Sequence, residues 1–200
     1  MKKYIIVILL SFFMINADAS VLANDYQPVT AIRASYVSAL LSPGGKIGLE
    51  YPYKYREIEK YKRDKTIIHY KERYIVISLG SYYQQGFHTN LMLQAEWTFR
   101  KQRSRGMYFD YSPVIGLSRT FIDGTTYSVD DSGNVSVVKY AGDYYGILGA
   151  SISLGYNFGM RSNRPIKMFL KPSLLVLFPY SNMIYPRPTI ELGLSYSFKK

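Results

Sequence analysis

Long segments in which apolar and polar residues alternate one by one constrain this chain more than any other feature. In segment 88–100 one face carries Thr89, Leu91, Leu93, Ala95, Trp97 and Phe99. The other face carries His88, Asn90, Met92, Gln94, Glu96, Thr98 and Arg100. Successive side chains of a β-strand point to opposite faces, whereas a helix would scatter the two sets around its circumference. The segment is therefore predicted to be a strand with one apolar face.

Eight segments of this kind are predicted strands, at 29–41, 45–53, 67–83, 88–100, 107–120, 144–159, 166–178 and 187–198. They are about as long as the roughly 9–11 residues with which a tilted strand crosses a bilayer, whereas strands of globular proteins typically have about 5–6. An even number of strands leaves both termini on the same side, as in single-chain outer-membrane barrels. The predicted fold is all-β, a single antiparallel transmembrane β-barrel of about eight strands, and a soluble β-sandwich is the alternative.

The N-terminus has the pattern of a secretory signal. Two lysines precede an apolar run over 4–15, and Ala17-Asp18-Ala19 fits a cleavage site. We expect a signal peptide over 1–19, with cleavage after Ala23 or an uncleaved anchor as alternatives, and a barrel over 20–200. After Ala23 no apolar run is long enough to span a bilayer as a helix, so export to the outer membrane is the predicted destination.

Composition narrows the chemistry. The chain has no Cys, which excludes disulfides and thiolate chemistry. It has 25 Lys and Arg against 14 Asp and Glu, and on an exported protein this excess favours anionic outer-membrane lipids and lipopolysaccharide over nucleic acid. A plainer interpretation is that the cations flank membrane strands.

The connections between strands differ in length and character. Segments 101–106 and 160–165 are predicted short periplasmic turns, and 121–143 is the predicted extracellular loop. Within it, Asp130-Asp131-Ser132-Gly133-Asn134 is the expected tip of a small hairpin between 125–129 and 135–138. A second, shorter exposed loop is expected at 179–186. The charged segment 54–66 is predicted to continue its flanking strands as a polar hairpin, on the periplasmic side by strand counting.

Several segments resemble the small outer-membrane β-barrel proteins of Gram-negative bacteria, and among them a Bacteroidetes-type group. The resemblance is carried by Gly86-Phe87-His88-Thr89-Asn90-Leu91, Phe121-Ile122-Asp123-Gly124-Thr125-Thr126-Tyr127, Val129-Asp130-Asp131-Ser132-Gly133-Asn134-Val135 and Pro186-Arg187-Pro188-Thr189-Ile190-Glu191-Leu192-Gly193. It implies a membrane barrel inserted by the barrel-assembly machinery. It implies no reaction, because a fold does not carry a function.

Charged residues of both signs share the polar phase of the strands. The set comprises Arg33, Lys46, Glu50, Glu96, Arg100, Asp110, Lys167, Lys171 and Glu191. The bore of an eight-stranded barrel is just wide enough for side chains to fill it, and an unpaired charge there would cost several kcal/mol. We therefore predict a plug of ion pairs, with a narrow conduit or proton path as the alternative.

No residues are assigned to catalysis, a cofactor or a metal. A histidine and a serine two residues apart serve some outer-membrane lipid A deacylases, but Asn90 follows His88 at that spacing, and Thr89 points to the other face. The tip at 130–134 resembles a calcium loop, yet Ala141 stands where a bidentate Glu is needed.

Aromatic residues on the apolar faces are predicted to form an interfacial girdle. They are Tyr36, Tyr51, Trp97, Phe99, Tyr111, Tyr156, Phe158, Tyr196 and Phe198. Pro172, inside a predicted strand, is expected to mark a bulge or a weak point.

The expected function is that of a non-enzymatic outer-membrane barrel with a filled lumen and a structural or surface-interaction role. Two alternatives stay open. One is an enzyme that modifies lipid A or phospholipid, and the other is a small pore or transporter.

Overall fold

The computed structural model describes residues 27–39, 42–62, 65–162, 164–180 and 183–198. The expected signal peptide lies outside these residues. Eight long strands run through them: β1 (Ala31–Ala39), β2 (Ser42–Lys62), β3 (Lys65–Gln84), β4 (His88–Arg103), β5 (Met107–Ile122), β8 (Tyr144–Asn157), β9 (Ile166–Tyr180) and β10 (Met183–Ser197). Two short strands, β6 (Thr126–Val129) and β7 (Val135–Val138), and one helical turn, α1 (Gly159–Ser162), complete the described elements. Among the described residues, no helix has the length and apolar character needed to cross a membrane.

The eight long strands close into a ring in the order β1-β10-β9-β8-β5-β4-β3-β2. Every neighbouring pair is antiparallel, and the ring closes where Ala31 lies opposite Ser197 and Ser38 lies opposite Ile190. Strands β6 and β7 pair only with each other. The predicted fold class, an antiparallel barrel of eight strands, is confirmed.

Alternation of side chains sorts the barrel into an inside and an outside. Along β4 the burial pattern changes at nearly every residue, with Asn90, Met92, Gln94 and Glu96 buried. The opposite face of β4 exposes Leu91, Leu93 and Trp97. Exposed apolar side chains on a closed barrel that buries its polar ones indicate a surface in contact with lipid.

The two ends of the barrel differ. The end that we call the terminal end carries both described chain ends, the β2–β3 hairpin, the β4–β5 turn and α1. The opposite end, the loop end, carries the β3–β4 turn and the connection 123–143 with β6 and β7. Long loops of outer-membrane barrels are extracellular and short turns periplasmic, so the terminal end is expected to face the periplasm.

Strands β2 and β3 run on through the charged segment and pair as far as Lys62 opposite Lys65. The register of β2 shifts between Pro52 and Lys54, so one extra residue is accommodated where the hairpin leaves the barrel wall. Beyond this bulge the alternation of β2 is shifted by one residue, so positions that would have faced inward face outward and the reverse.

One expectation about the last strands was wrong, and of the two alternatives for Pro172 the structure shows the interrupted ladder and not the bulge. Segment 179–186 is not a loop, because β9 runs to Tyr180 and β10 begins at Met183. Pro172 causes no bulge, since the β8–β9 register is the same on both sides of it. It does interrupt the ladder, because the paired positions stop at Ser173 and resume at Leu170, as a residue without an N–H requires.

Candidate functional site

The barrel interior is a site of buried charge. All nine sequence-predicted lumen residues lie there, each at most 5% exposed. Together with Glu72 they make five buried cations and five buried carboxylates: Arg33, Lys46, Arg100, Lys167, Lys171, Glu50, Glu72, Glu96, Asp110 and Glu191. We call this set the lumen network.

Glu50 gathers the cations nearer the terminal end. Its carboxylate lies 3.3 Å from Lys167 Nζ, 3.6 Å from Arg33 Nε and 3.9 Å from Arg100 Nη1. The Ser195 hydroxyl also donates to it at 2.8 Å. These partners come from β1, β4, β9 and β10, so the carboxylate of β2 is held by strands that are mostly not its neighbours.

A second group lies nearer the middle of the barrel. Lys171 Nζ donates to both oxygens of Glu96, at 2.6 and 2.7 Å. Lys46 Nζ donates to Glu96 at 3.3 Å and also to Glu191. Lys171 and Glu96 belong to β9 and β4, which are separated in the ring by β8 and β5, so their contact reaches across the bore.

Arg100 has the most directional contacts of the network. Its Nε and Nη2 each donate to one oxygen of Asp110 at 2.8 Å, a bidentate geometry that makes strong charge-assisted hydrogen bonds. Its guanidinium lies 4.0 Å from the ring centroid of Tyr108 and 4.7 Å from that of Tyr74. Arg33 similarly lies 4.0 Å from the centroid of Phe169, so aromatic rings fill the space beside the charges.

Sequence reasoning missed Glu72, which brings the buried charges into balance. The Tyr74 hydroxyl donates to its carboxylate. The signal was present, because Glu72 shares its phase with Tyr74, Val76 and Ser78 on β3, all of which are buried. It lies inside the predicted strand 67–83, where counting alternate residues would have found it.

The histidine motif forms no catalytic arrangement among the described residues. His88 packs edge-on to Tyr82, with ring centroids 6.1 Å apart. The Asn90 amide donates to Ser118 and Thr120 inside the barrel, at 2.7 and 3.1 Å. These contacts occupy Asn90 in the wall-to-wall packing of the lumen and bring no hydroxyl to the His88 ring.

The tip of the β6–β7 hairpin is organised by one carboxylate. Asp130 accepts hydrogen bonds from the backbone amides of Ser132 and Asn134 at 2.9 and 2.8 Å. Hydrogen bonds from the Asn134 backbone and side chain lower the pKa of Asp130. Within the described residues, no three His, Asp or Glu side chains are grouped as metal ligands, and the tip is an Asx-type turn.

The predicted girdle residues do not lie at one level. Five of them lie in the terminal halves of their strands: Trp97, Phe99, Tyr111, Tyr156 and Tyr196. Phe158 and Phe198 directly follow β8 and β10 at the same end. Tyr51 lies near the midpoint of β2, in the cross-strand row of Trp97, and Tyr36 lies in the half of β1 nearer the loop end. Phe99 stacks on Tyr111 with ring centroids 6.4 Å apart, and Tyr156 packs edge-on to Phe158 at 5.0 Å. Aromatic contacts therefore occur at the terminal end, where an interfacial girdle is expected.

Comparisons with known proteins find only low similarity. No family model matches the chain, and no curated protein is significantly similar to it. The N-terminal β-barrel domain of Pseudomonas aeruginosa OprF is similar over 86% of this chain and 98% of its own, at 17% identity and a TM-score of 0.44. Neisserial surface protein A matches 85% of this chain and 96% of its own, at 12% identity and a TM-score of 0.46. The outer-membrane enzyme PagL matches 85% and 99%, at 9% identity and a TM-score of 0.42. These similarities are low and extend no further than the fold.

The geometry of the chain itself places it in a membrane. A closed antiparallel ring, a lipid-type exterior and an interior with paired buried charges are together the architecture of an outer-membrane barrel. The chain therefore folds as a closed antiparallel β-barrel of eight strands with a lipid-type exterior.

Proposed function

We propose that this barrel has no enzymatic activity, that its lumen is structural, and that its β6–β7 hairpin presents a binding surface outside the cell. Outer-membrane phospholipid and lipopolysaccharide would surround it, and the barrel-assembly machinery would insert it. The observation that carries the proposal is the unpartnered apolar face of the hairpin.

That face is formed by two cross-strand pairs. Tyr127 lies opposite Val137, and Val129 lies opposite Val135. All four side chains are between 58% and 65% exposed. A two-stranded hairpin is marginally stable by itself, and clustered exposed apolar residues commonly mark an interaction site.

The hairpin also offers backbone edges. Neither β6 nor β7 pairs with a barrel strand, so each presents one row of N–H and C=O groups to the outside. An extended peptide can add to such an edge, with main-chain hydrogen bonds supplying affinity and side-chain contacts specificity. We infer that the surface partner contributes an extended apolar segment.

The lumen supports a structural role for the barrel. Several of its charges pair across non-neighbouring strands, and rings pack against the guanidinium groups of Arg33 and Arg100. Lipid hydrolysis, the alternative activity, would need a nucleophile hydrogen-bonded to His88. The hydrogen bonds among the described residues include none of that kind.

Site-specific photo-crosslinking on intact cells tests the proposed surface. A crosslinking residue at Val137 probes the apolar face, and one at Ser136 probes the other face of the same strand. We expect a defined adduct from Val137 only, displaced by a synthetic peptide of residues 125–138, and we expect the barrel without 125–138 to keep its heat-modifiable folded form. Equal labelling from both positions, or none from Val137, would refute the proposed surface, and loss of the heat-modifiable folded form on deletion would show the hairpin to be structural.

A further inference from the structure

The charged hairpin at the terminal end separates its charges by face. On one face Tyr55, Glu57 and Glu59 share their phase with Tyr70 and Glu72, which are buried. On the other face Lys54 lies opposite Arg73, and Arg56 lies opposite Lys71. The bulge between Pro52 and Lys54 sets this phase, and it turns the cations outward and the carboxylates toward the barrel axis.

The outward cations continue onto the barrel wall as two adjacent cross-strand rows. One row is Arg56, Lys71, Lys101 and Phe109, and the other is Lys54, Arg73, Phe99 and Tyr111. All eight residues are exposed. We call the cations Lys54, Arg56, Lys71, Arg73 and Lys101 the basic patch.

No carboxylate neutralises the basic patch within the part of the chain that the structure describes. None of its five cations has an acidic partner within 4.0 Å there, and all the ion pairs found lie in the lumen. Like charges directly opposite each other destabilise a sheet, and here three such pairs are adjacent. An arrangement of this kind is relieved by an anion that binds to several cations at once.

The patch lies at the level where lipid headgroups are expected. The next exterior row toward the barrel middle contains Tyr51, Ile75 and Trp97. The cations therefore begin just beyond aromatic residues of the kind that lie at a membrane–water interface. A cleft of about 370 Å³ runs between the patch and the rings of Phe99, Phe109 and Tyr111. Glu72 also borders this cleft, but Tyr74 holds its carboxylate toward the interior.

We propose that the basic patch binds the phosphate headgroup of an anionic glycerophospholipid, whose acyl chains lie against Phe99 and Tyr111 on the barrel wall. The terminal end is expected to face the periplasm, and the leaflet on that side favours a phospholipid over lipid A. Clustered Lys and Arg near a membrane surface recognise anionic headgroups in this way. The site is at the opposite end from the β6–β7 hairpin, and its failure would leave the proposed surface role untouched.

Native mass spectrometry of the detergent-solubilised mature protein, titrated with phosphatidylglycerol, tests the site. Phosphatidylcholine with identical chains serves as the neutral probe and lipid A as the probe for the other leaflet. At about 1 kcal/mol for each basic residue near the surface, Lys71→Gln combined with Arg73→Gln should weaken phosphatidylglycerol binding about 30-fold. Phosphatidylcholine binding should not change, and the charge-retaining pair Lys71→Arg with Arg73→Lys should keep most of the affinity.

The matched control removes two exposed cations from the same end of the barrel but outside the patch. Arg161→Gln with Arg164→Gln should change phosphatidylglycerol binding less than about threefold, because neither side chain borders the cleft assigned to the headgroup and exposed charges farther away are screened. A second patch pair, Lys54→Gln with Lys101→Gln, makes the same 30-fold prediction and is informative if the first pair fails to fold. Unchanged binding in the patch variants, or an equal loss in the control, would overturn the site. A wild-type preference for lipid A that the patch variants lose would overturn its assignment to phospholipid.

Discussion

The contact between Glu96 and Lys171 gives a quantitative test of the filled lumen. Both side chains are at most 3% exposed, and the ammonium donates to both carboxylate oxygens. Replacing Glu96 with Leu leaves five buried cations with four carboxylates, and Lys171 then keeps only Glu191, at 3.5 Å. Removing one partner of a buried pair costs about 3–5 kcal/mol because a charge is left without its partner. Lys171→Met should cost a similar amount for the opposite sign of charge.

The double variant separates pairing from burial. With both Glu96→Leu and Lys171→Met, the lumen network returns to four charges of each sign, and apolar side chains of similar length replace the pair. Substitution of a buried pair by apolar residues is often nearly neutral. We expect the double variant to lose about 3 kcal/mol or less, far below the roughly 6–10 kcal/mol sum of the single losses.

Urea unfolding of the mature barrel in phospholipid vesicles measures these free energies of unfolding. The folded fraction is read from the mobility of the folded form in unheated SDS gels. Strict additivity of the two single changes would refute the reasoning. It would mean that each charge is solvated independently by water in the bore, and that the lumen is not a packed network.

Three further predictions concern other parts of the molecule. Reconstituted protein should show no large, steady single-channel currents, because paired side chains occupy the bore; such currents would restore the pore alternative. Hydrogen bonds from Asn134 lower the pKa of Asp130. The ionised carboxylate therefore stabilises the hairpin tip at every pH above the ordinary aspartate pKa of about 3.9. This stabilisation is lost as the pH falls through the lowered pKa. Amide NMR shifts of the tip should report that transition, and a midpoint above about 3.9 would contradict it. Gly106→Ala should destabilise the barrel by more than about 1–2 kcal/mol, because φ is 96° and the new Cβ would lie 2.5 Å from the Asn157 carbonyl oxygen. Gly45→Ala is the control, because a Cβ there meets nothing within 4 Å. Equal losses of stability in urea unfolding would argue against the clash.

The outward and inward faces of the strands could be predicted from local pattern because a strand has a period of two. Glu96, Arg100 and Glu191 are each assigned to the lumen by counting alternate residues along their own segment. The same counting fails at Lys54, because the bulge beside Pro52 shifts the phase and makes a mixed run of charges into two faces of opposite sign. A single inserted residue leaves no distinctive mark in the sequence.

Loops near prolines were also beyond local reasoning. Pro179 and Pro186 bound the segment that was expected to be a loop, yet β9 extends to Tyr180 and β10 begins at Met183. A proline removes one donor, and a strand can accommodate that loss where its N–H would not have been paired. Which N–H groups are paired depends on the neighbouring strand.

The sequence by itself determined that this chain forms long two-faced strands, that they close into a barrel with lipid outside, and which charges turn inward. These properties follow from alternation, which is local. Only the tertiary structure decided which charge meets which, as when Lys171 of β9 reaches Glu96 of β4, and which cations gather on the outer surface of the β2–β3 hairpin. Both depend on ring closure and register, which bring together residues that are far apart in the chain.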